Sequence, residues 1–399
     1  MTTTTSAQPR SAEAGRRGGD VRSDCWVKVT PTDSAGIELT LHSRVEAMYG
    51  DSIHALVRND LEALGVANAK VEIEDAGALP FVIKARVEAA VRRLGIDVGA
   101  GCLPEPGPGM DREAERDRFR RSRLYLPGNE PKFMLNAGLH KPDGVILDLE
   151  DSVAPSEKDA ARVLVRNALR CVDFRGAERM VRINQGQRGL EDLELVASHN
   201  VHVVLIPKVE SPAQVRQADE KIRTLLAEAK IERPVYLMPI VESALGALRA
   251  YEIATASPNI VALAIGLEDY TADIGTARTN EGRESFWARS QVVNAARAAG
   301  VQPIDSVFSD VSDMEALRES VLEAKSLGFD GKGCIHPRQI PVIHEAFAPT
   351  AAELEKAQRI VGAFEEAQRK GLGVVSLGSK MIDPPVVKRA QRVLRMAGR

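Results

Sequence analysis

The sequence has 399 residues, 44% hydrophobic and 27% charged, with a formal net charge of −3 at pH 7. That length suits two or three domains, and the composition is ordinary for a globular protein. The slight acidity argues against a nucleic-acid binder, and no apolar run approaches the roughly 18 residues needed to span a bilayer. Cys25, Cys102, Cys171 and Cys334 lie far apart, with no CxxC or Cys/His cluster. The expectation is therefore reduced thiols in a cytoplasmic protein, not a zinc site or a disulfide framework.

Residues 1–22 are rich in Thr, Ser, Ala, Arg and Gly. A transit peptide can have this composition, but Glu13 and Asp20 interrupt it and no amphipathic face is visible, so a disordered tail is expected. Residues 25–30 and 37–42 alternate like strands, and the turn between them is Pro31 to Gly36. Apolar residues at helical spacing (Val45, Met48, Ile53, Leu56, Val57, Leu61, Leu64) predict a helix over 44–64. A strand at 71–75 and a helix at 80–94 complete a small α+β domain, ββαβα, over residues 23–96. Four glycines and three prolines within 99–110 mark a linker, assigned to 97–117. The mixed-charge run from Asp111 to Arg121 reads as a solvated helix leading into the next domain.

From Ser122 the pattern changes. Eight apolar strand candidates (122–126, 144–148, 179–183, 202–206, 235–241, 260–265, 301–305, 332–335) alternate with helical segments such as 157–170, 211–229, 243–255, 285–299 and 312–327. This predicts a (β/α)8 TIM barrel over 118–345. An open doubly wound sheet often carries a Gly-rich phosphate turn after its first strand, and here LPGNEP stands there instead. Helices at about 350–369 and 385–397 make a C-terminal helical arm, 346–399. The segment 371–385 between them is too long for a simple turn and reads as a lid or an arm toward a neighbouring subunit.

Active sites of such barrels lie at the C-terminal ends of the strands. Here those ends carry Asp148, Glu150 and Asp151; Arg182 and Asn184; Lys208; Glu242; Glu268 and Asp269; Asp305; and His336-Pro337. Each has a structural reading taken singly: Asp148 or Asp151 as a helix cap, Lys208 as an ion pair. The whole set does not, because buried charges are costly unless paired or metal-bound. Glu242 and Asp269, on adjacent strands, suit Mg²⁺. Arg182 offers a planar fork to a carboxylate or keto acid. A metal and an arginine are what cleavage of a β-hydroxy acyl thioester requires. There is no GxSxG elbow, Walker loop or HExxH, and His336 reads as a binding or structural residue, not as a base.

Arg121 to about Val393 resembles the citrate lyase β-subunit family, within the HpcH-type aldolases and lyases. The matching runs are RSRLYLPGN (121–129), KPDGVILDLEDSVAPSEKDAAR (141–162), VRIN (181–184), IPK (206–208), VESALG (241–246), AIGLEDY (264–270), GFDGKGCIHPRQI (328–340) and GLGVVSLGSKMIDPPVV (371–387). The resemblance implies a barrel, Mg²⁺ and an acyl-thioester substrate. It places metal ligands at Glu242 and Asp269 and the substrate-carboxylate arginine at Arg182. It places Glu150 and Asp151 at the mouth, in contacts with water or around the metal; Lys208 and Pro337, at the ends of the fourth and eighth strands, are expected to bind substrate. Asp383 would be an acid–base group lent to a neighbouring subunit, within a trimer or hexamer.

Residues 25–94 resemble the citrate lyase acyl carrier (γ) subunit, through VKVTPTDSAGIELTL (27–41), MYGDSIHALVRNDLEALGV (48–66) and AKVEIEDAGALPFVIKARVEAAVRR (69–93). The family attaches its phosphopantetheine-type arm to a serine; aligned without gaps, Arg22 stands there, and a one-residue shift would make Ser23 the attachment site. Three readings follow. One is a citryl-thioester lyase fed by its own carrier, with a separate α subunit for acyl exchange. Another is a malyl- or citramalyl-coenzyme A lyase or thioesterase on free thioesters. The third makes the N-terminal unit an assembly module.

Overall fold

A computed structural model describes residues 11–33, 36–107, 109–110, 112–369, 375–377 and 380–397. The N-terminal unit is a four-stranded sheet in the order β1-β2-β4-β3, with two helices. Its strands are β1 (Ala12–Gly15), β2 (Cys25–Pro31), β3 (Ile37–Ser43) and β4 (Ala69–Asp75), and its helices α1 (Glu46–Ala63) and α2 (Pro80–Arg93). In β4 the buried residues Ala69, Val71 and Ile73 alternate with exposed Lys70 and Glu72. The buried set packs with Ile53, Val57 and Leu61 of α1 and Val87 and Val91 of α2.

The tail expectation fails for residues 12–15, and the order is βββαβα. β1 pairs antiparallel with β2, from Ala12 opposite Val29 to Gly15 opposite Trp26. Main-chain pairing carries this strand, so its composition gives no strand signal. Gly15 sits at φ +90°, where a Cβ would stand 1.9 Å from the Cys25 carbonyl oxygen. The first ten residues lie outside the described set.

Residues 112–121 do not form the solvated helix expected over 111–121. An irregular segment closes the N-terminal end of the barrel instead. Arg116 donates to the carbonyls of Pro258 (2.8 Å) and Ile260 (3.0 Å), and fully buried Arg120 grips Glu178 at 2.7 and 2.8 Å. Ala114 packs into the interior cluster with Ile146, Met180 and Val203. Free carbonyls at the starts of the strands take up the guanidinium donors that water would otherwise satisfy.

All eight barrel strands form, parallel and closed: β5 (Ser122–Pro127), β6 (Gly144–Asp148), β7 (Glu178–Arg182), β8 (Val203–Ile206), β9 (Tyr236–Val241), β10 (Ala262–Ile265), β11 (Gln302–Asp305) and β12 (Gly331–Cys334). The barrel closes where Gly333 of β12 pairs with Arg123 of β5. The helix expected at 243–255 is broken at Arg249 into Ala244–Leu248 and Ala250–Ala254. The arm helices Ala351–Arg369 and Pro384–Met396 pack on each other and are tied to the barrel by Arg392–Asp330 and Lys325–Glu353 (3.7 Å). No helix among the described residues is long and apolar enough to cross a membrane.

The N-terminal unit is packed onto the barrel. Phe81, Val82 and Ala85 of α2 belong to the same apolar cluster as the barrel's outer layer. Buried Glu88 of α2 receives Arg166, of the helix Lys158–Cys171, at 2.9 and 2.6 Å. Arg93 holds Asp159 at 2.7 Å through two bonds. Arg86 grips Asp24 at 2.9 and 2.8 Å and also donates to the Asn129 carbonyl (3.1 Å), in the loop that leaves β5 at its C-terminal end.

Candidate active site

Parallel register assembles the first part of the site. Asp148 at the end of β6 is the pairing partner of Arg182 at the end of β7. Arg182 holds Asp148 through a two-pronged bond, at 2.6 and 2.7 Å. Its Nη1 lies 2.9 Å from Glu150 Oε2 and 3.4 Å from Asp151 Oδ2, and the guanidinium stacks over Tyr125, 5.3 Å from the ring centre. Burial would raise the Asp148 carboxyl, but the bonds from Arg182 outweigh it and hold the group below the ordinary carboxylate range. Glu150 goes the other way: burial raises it more than Arg182, Gln185 and Lys208 lower it. Gln185, a contact missed in the sequence, donates to Glu150 Oε1 at 2.9 Å.

The second part is built around Lys208. Its ammonium lies 3.4 Å from Glu150 Oε1, 3.6 Å from Asp151 Oδ1 and 3.4 Å from Asp269 Oδ1. Its backbone adopts φ +49°, a left-handed conformation costing a non-glycine residue about 1–2 kcal/mol. The amide so placed donates to Glu242 Oε2 at 2.8 Å. Behind Glu242 is Gly266, where a Cβ would come within 2.3 Å of Oε1. The glycine of the GLED run is therefore there for space. Glu242 is only 6% exposed, and burial pushes its carboxyl up to about 7, with the charges of Glu150 and Asp269 adding to the shift.

Five carboxylates (Asp148, Glu150, Asp151, Glu242, Asp269) thus face two cations, Arg182 and Lys208. The described residues hold no cluster of three or more His, Cys, Asp or Glu side chains arranged as a ready metal cage. Mg²⁺ asks for less, namely one or two carboxylates with water and substrate oxygens completing the shell. Glu242, with one oxygen free of hydrogen bonds, and Asp269 meet that demand. Both line a cleft of about 370 Å³, along with Asp148, Asp151 and Arg182.

Other residues singled out in the sequence stand outside this cluster. Asp305 also lines the cleft, but its carboxylate is buried below the mouth in pairs with Arg289 and Lys332. His336 accepts the Arg338 amide at 3.1 Å, and Pro337 starts the turn into the helix Gln339–Phe347; Ile335, not Pro337, lines the cleft. Asp383 caps the last helix by accepting the Val386 amide at 3.2 Å and does not line the cleft of its own chain. Much of 371–385 lies outside the described residues. Ser23 is half-buried at φ +56°, its amide bonded to the Ala76 carbonyl at 3.0 Å.

A closed parallel barrel with this mouth is the frame of a carbon–carbon lyase, and the comparisons with known proteins agree. Residues 121–337 match the model of HpcH/HpaI aldolase/citrate lyase, and residues 16–94 that of the carrier family described as malonate decarboxylase delta subunit (MdcD). The chain is 41% identical to citrate lyase subunit beta of Leuconostoc mesenteroides subsp. cremoris, over 70% of this chain and 94% of that one. It is 35% identical to the mitochondrial citramalyl-CoA lyase of Mus musculus, over 70% and 86%. Among solved structures, CitE from Mycobacterium tuberculosis in complex with magnesium, acetoacetate and coenzyme A superposes with a TM-score of 0.59 at 34% identity, covering 71% of this chain and 100% of that one. This chain belongs to the HpcH/HpaI aldolase/citrate lyase family, and it carries an acyl-carrier-like domain ahead of its barrel.

Proposed function

We propose that the barrel cleaves a citryl thioester to oxaloacetate and an acetyl thioester, with Mg²⁺ held by Glu242 and Asp269. The observation that carries this reading is the mouth itself, where Glu242, Asp269 and a fixed guanidinium converge on one cleft. In the reaction the carbon–carbon bond between the carbinol carbon and the acetyl methylene breaks. The hydroxyl proton leaves, the carbinol becomes a ketone, and the electron pair passes into the thioester enolate, which then takes a proton. Bound Mg²⁺ would supply charge stabilisation to the oxygen that becomes the ketone. Arg182, locked by Asp148 and stacked on Tyr125, would turn to the α-carboxylate the Nη1 edge that here lies against Glu150 and Asp151. Lys208 holds Glu150, Asp151 and Asp269 in place. Asp383 of a neighbouring copy is the candidate acid–base group. In the test, citryl-, citramalyl- and malyl-coenzyme A are each supplied with Mg²⁺ and the keto acid is identified. Pyruvate or glyoxylate as the main product would overturn the citryl assignment.

The raised Glu242 carboxyl has a measurable consequence. Its folded value, about 7, lies above the ordinary value of 4.5, so the folded state keeps the proton between them. Metal-free stability therefore falls as pH rises from about 5 to 7, by about 3 kcal/mol. Mg²⁺ must displace that proton, so its affinity should rise with pH up to about 7 and then level off. Calorimetric titration in buffers of different ionisation heat should find about one proton released per metal at pH 6. A pH-independent affinity between 5.5 and 7.5 would remove Glu242 from the ligand set.

The acyl donor is either an arm on Ser23 or free coenzyme A. Ser23 precedes Asp24, which Arg86 links to the loop after β5, so an arm there would start beside the barrel mouth. The buried contacts between the two units favour the alternative, a fixed assembly module beside a barrel that takes free thioesters. Intact mass of protein from its own host separates them. A phosphopantetheine-type increment mapped to Ser23 establishes the carrier role, and an unmodified mass leaves the coenzyme A reading.

A further inference from the structure

Arg123 is an oddity within the barrel. It is the second residue of β5, is 1% exposed, and yet lines the cleft. No carboxylate pairs with it among the described residues. Nη1 points at the Met238 sulfur at 3.0 Å, Nη2 reaches the Asp305 carbonyl only at 3.4 Å, and Nε has no hydrogen-bond partner. A guanidinium has five donors and loses its charge to nothing else in a protein, so burying it with so few acceptors is costly. The neighbours do not offset the charge. Asp305 is already taken by Arg289 and Lys332, and Glu323 by Arg289. Arg289, Lys332 and Glu323 line a separate cavity, so of these groups only Arg123 and Asp305 reach the cleft. The mouth above is acid-rich and suits a metal; beneath it one under-coordinated guanidinium, that of Arg123, suits an anion.

The geometry points to Arg123 as the binding group for the second carboxylate of the keto-acid half of the substrate, the residue that makes the cleft select a citryl over a citramalyl or malyl thioester. This rests on the citryl reading above. A citryl group carries two carboxylates. Arg182 takes the one on the carbinol carbon, and the other, on the adjacent methylene, becomes the far end of oxaloacetate. In a citramalyl group a methyl replaces the whole carboxymethyl arm, and in a malyl group a hydrogen does, and neither would satisfy Arg123. A site built to bond a polar group rejects analogues lacking it by far more than a mere size mismatch does.

The test is Arg123→Met, an unbranched apolar replacement beside Met238. Its kcat/KM for citryl-coenzyme A should fall at least about 100-fold while that for citramalyl-coenzyme A is unchanged or rises. Oxaloacetate, titrated calorimetrically with Mg²⁺, should drop to the affinity of pyruvate. Thermal stability should hold or increase, since an unpaired buried charge has been removed. Equal losses on both thioesters, or oxaloacetate binding unchanged, would overturn the role. Arg123→Lys serves as a second probe, and partial retention of the oxaloacetate preference is expected from its charge. If the wild-type protein prefers citramalyl- or malyl-coenzyme A, the citryl reading itself has failed, a result separate from any change caused by the substitution.

Discussion

Glu242→Gln should leave a folded protein that binds Mg²⁺ at least about 100-fold more weakly and loses about 1,000-fold of its kcat/KM on any thioester. Glutamine keeps the size of the side chain and the acceptor that receives the Lys208 amide, so the left-handed turn at Lys208 survives. What it removes is the negative charge, in a position where burial already makes that charge hard to hold. The variant should therefore be no less stable than the parent at pH 8, where the parent carries the ionised group. Outer partners of a metal site alone cost 10- to 100-fold in affinity when removed, so a direct ligand should cost more. Magnesium titration and steady-state kinetics on one preparation decide the matter. A variant with full Mg²⁺-dependent turnover would place the metal elsewhere.

Arg166→Ala should destabilise the protein by about 3–5 kcal/mol, the usual result of stripping one member from a buried pair. Glu88 is fully buried and would retain Arg92 at 2.8 Å and the Cys102 amide at 2.6 Å. Those partners do not replace two charged bonds at the junction of carrier-like unit and barrel. Replacing both residues, Arg166→Met with Glu88→Met, should recover much of the loss, because neither charge is then left buried alone. Urea unfolding of the two single variants and the double variant measures the coupling. A single-variant loss below about 0.5 kcal/mol, the range of an ordinary surface change, would mean that the junction is wet and the units separable. A large coupling would mean that Ser23 is held at one distance from the barrel mouth, with or without an arm.

Periodicity and order along the chain determined a good deal of this protein. Eight short apolar runs alternating with helices specify a barrel, because each buried strand needs a helix to cover it and closure leaves no edge. Once the barrel is granted, reading the end of each strand and the few residues beyond it yields Arg182, Lys208, Glu242 and Asp269, and parallel register brings these strand ends together without further information. Their assembly in one cleft was legible for that reason. Tertiary structure alone decided which charges are buried. Arg120, Arg123 and Arg166 look in the sequence like ordinary solvated arginines. Arg120 is buried because Glu178, at the start of β7 two strands away, faces it, Arg166 because Glu88 arrives from another domain, and Arg123 because β5 turns that residue inward. The strand at residues 12–15 escaped for a related reason, since it is held by main-chain pairing that any composition can make. Local pattern reports which face of an element is apolar. It does not report what distant segment will come to lie against a polar side chain, and that contact is what distinguishes an exposed charge from a buried ion pair or a binding site.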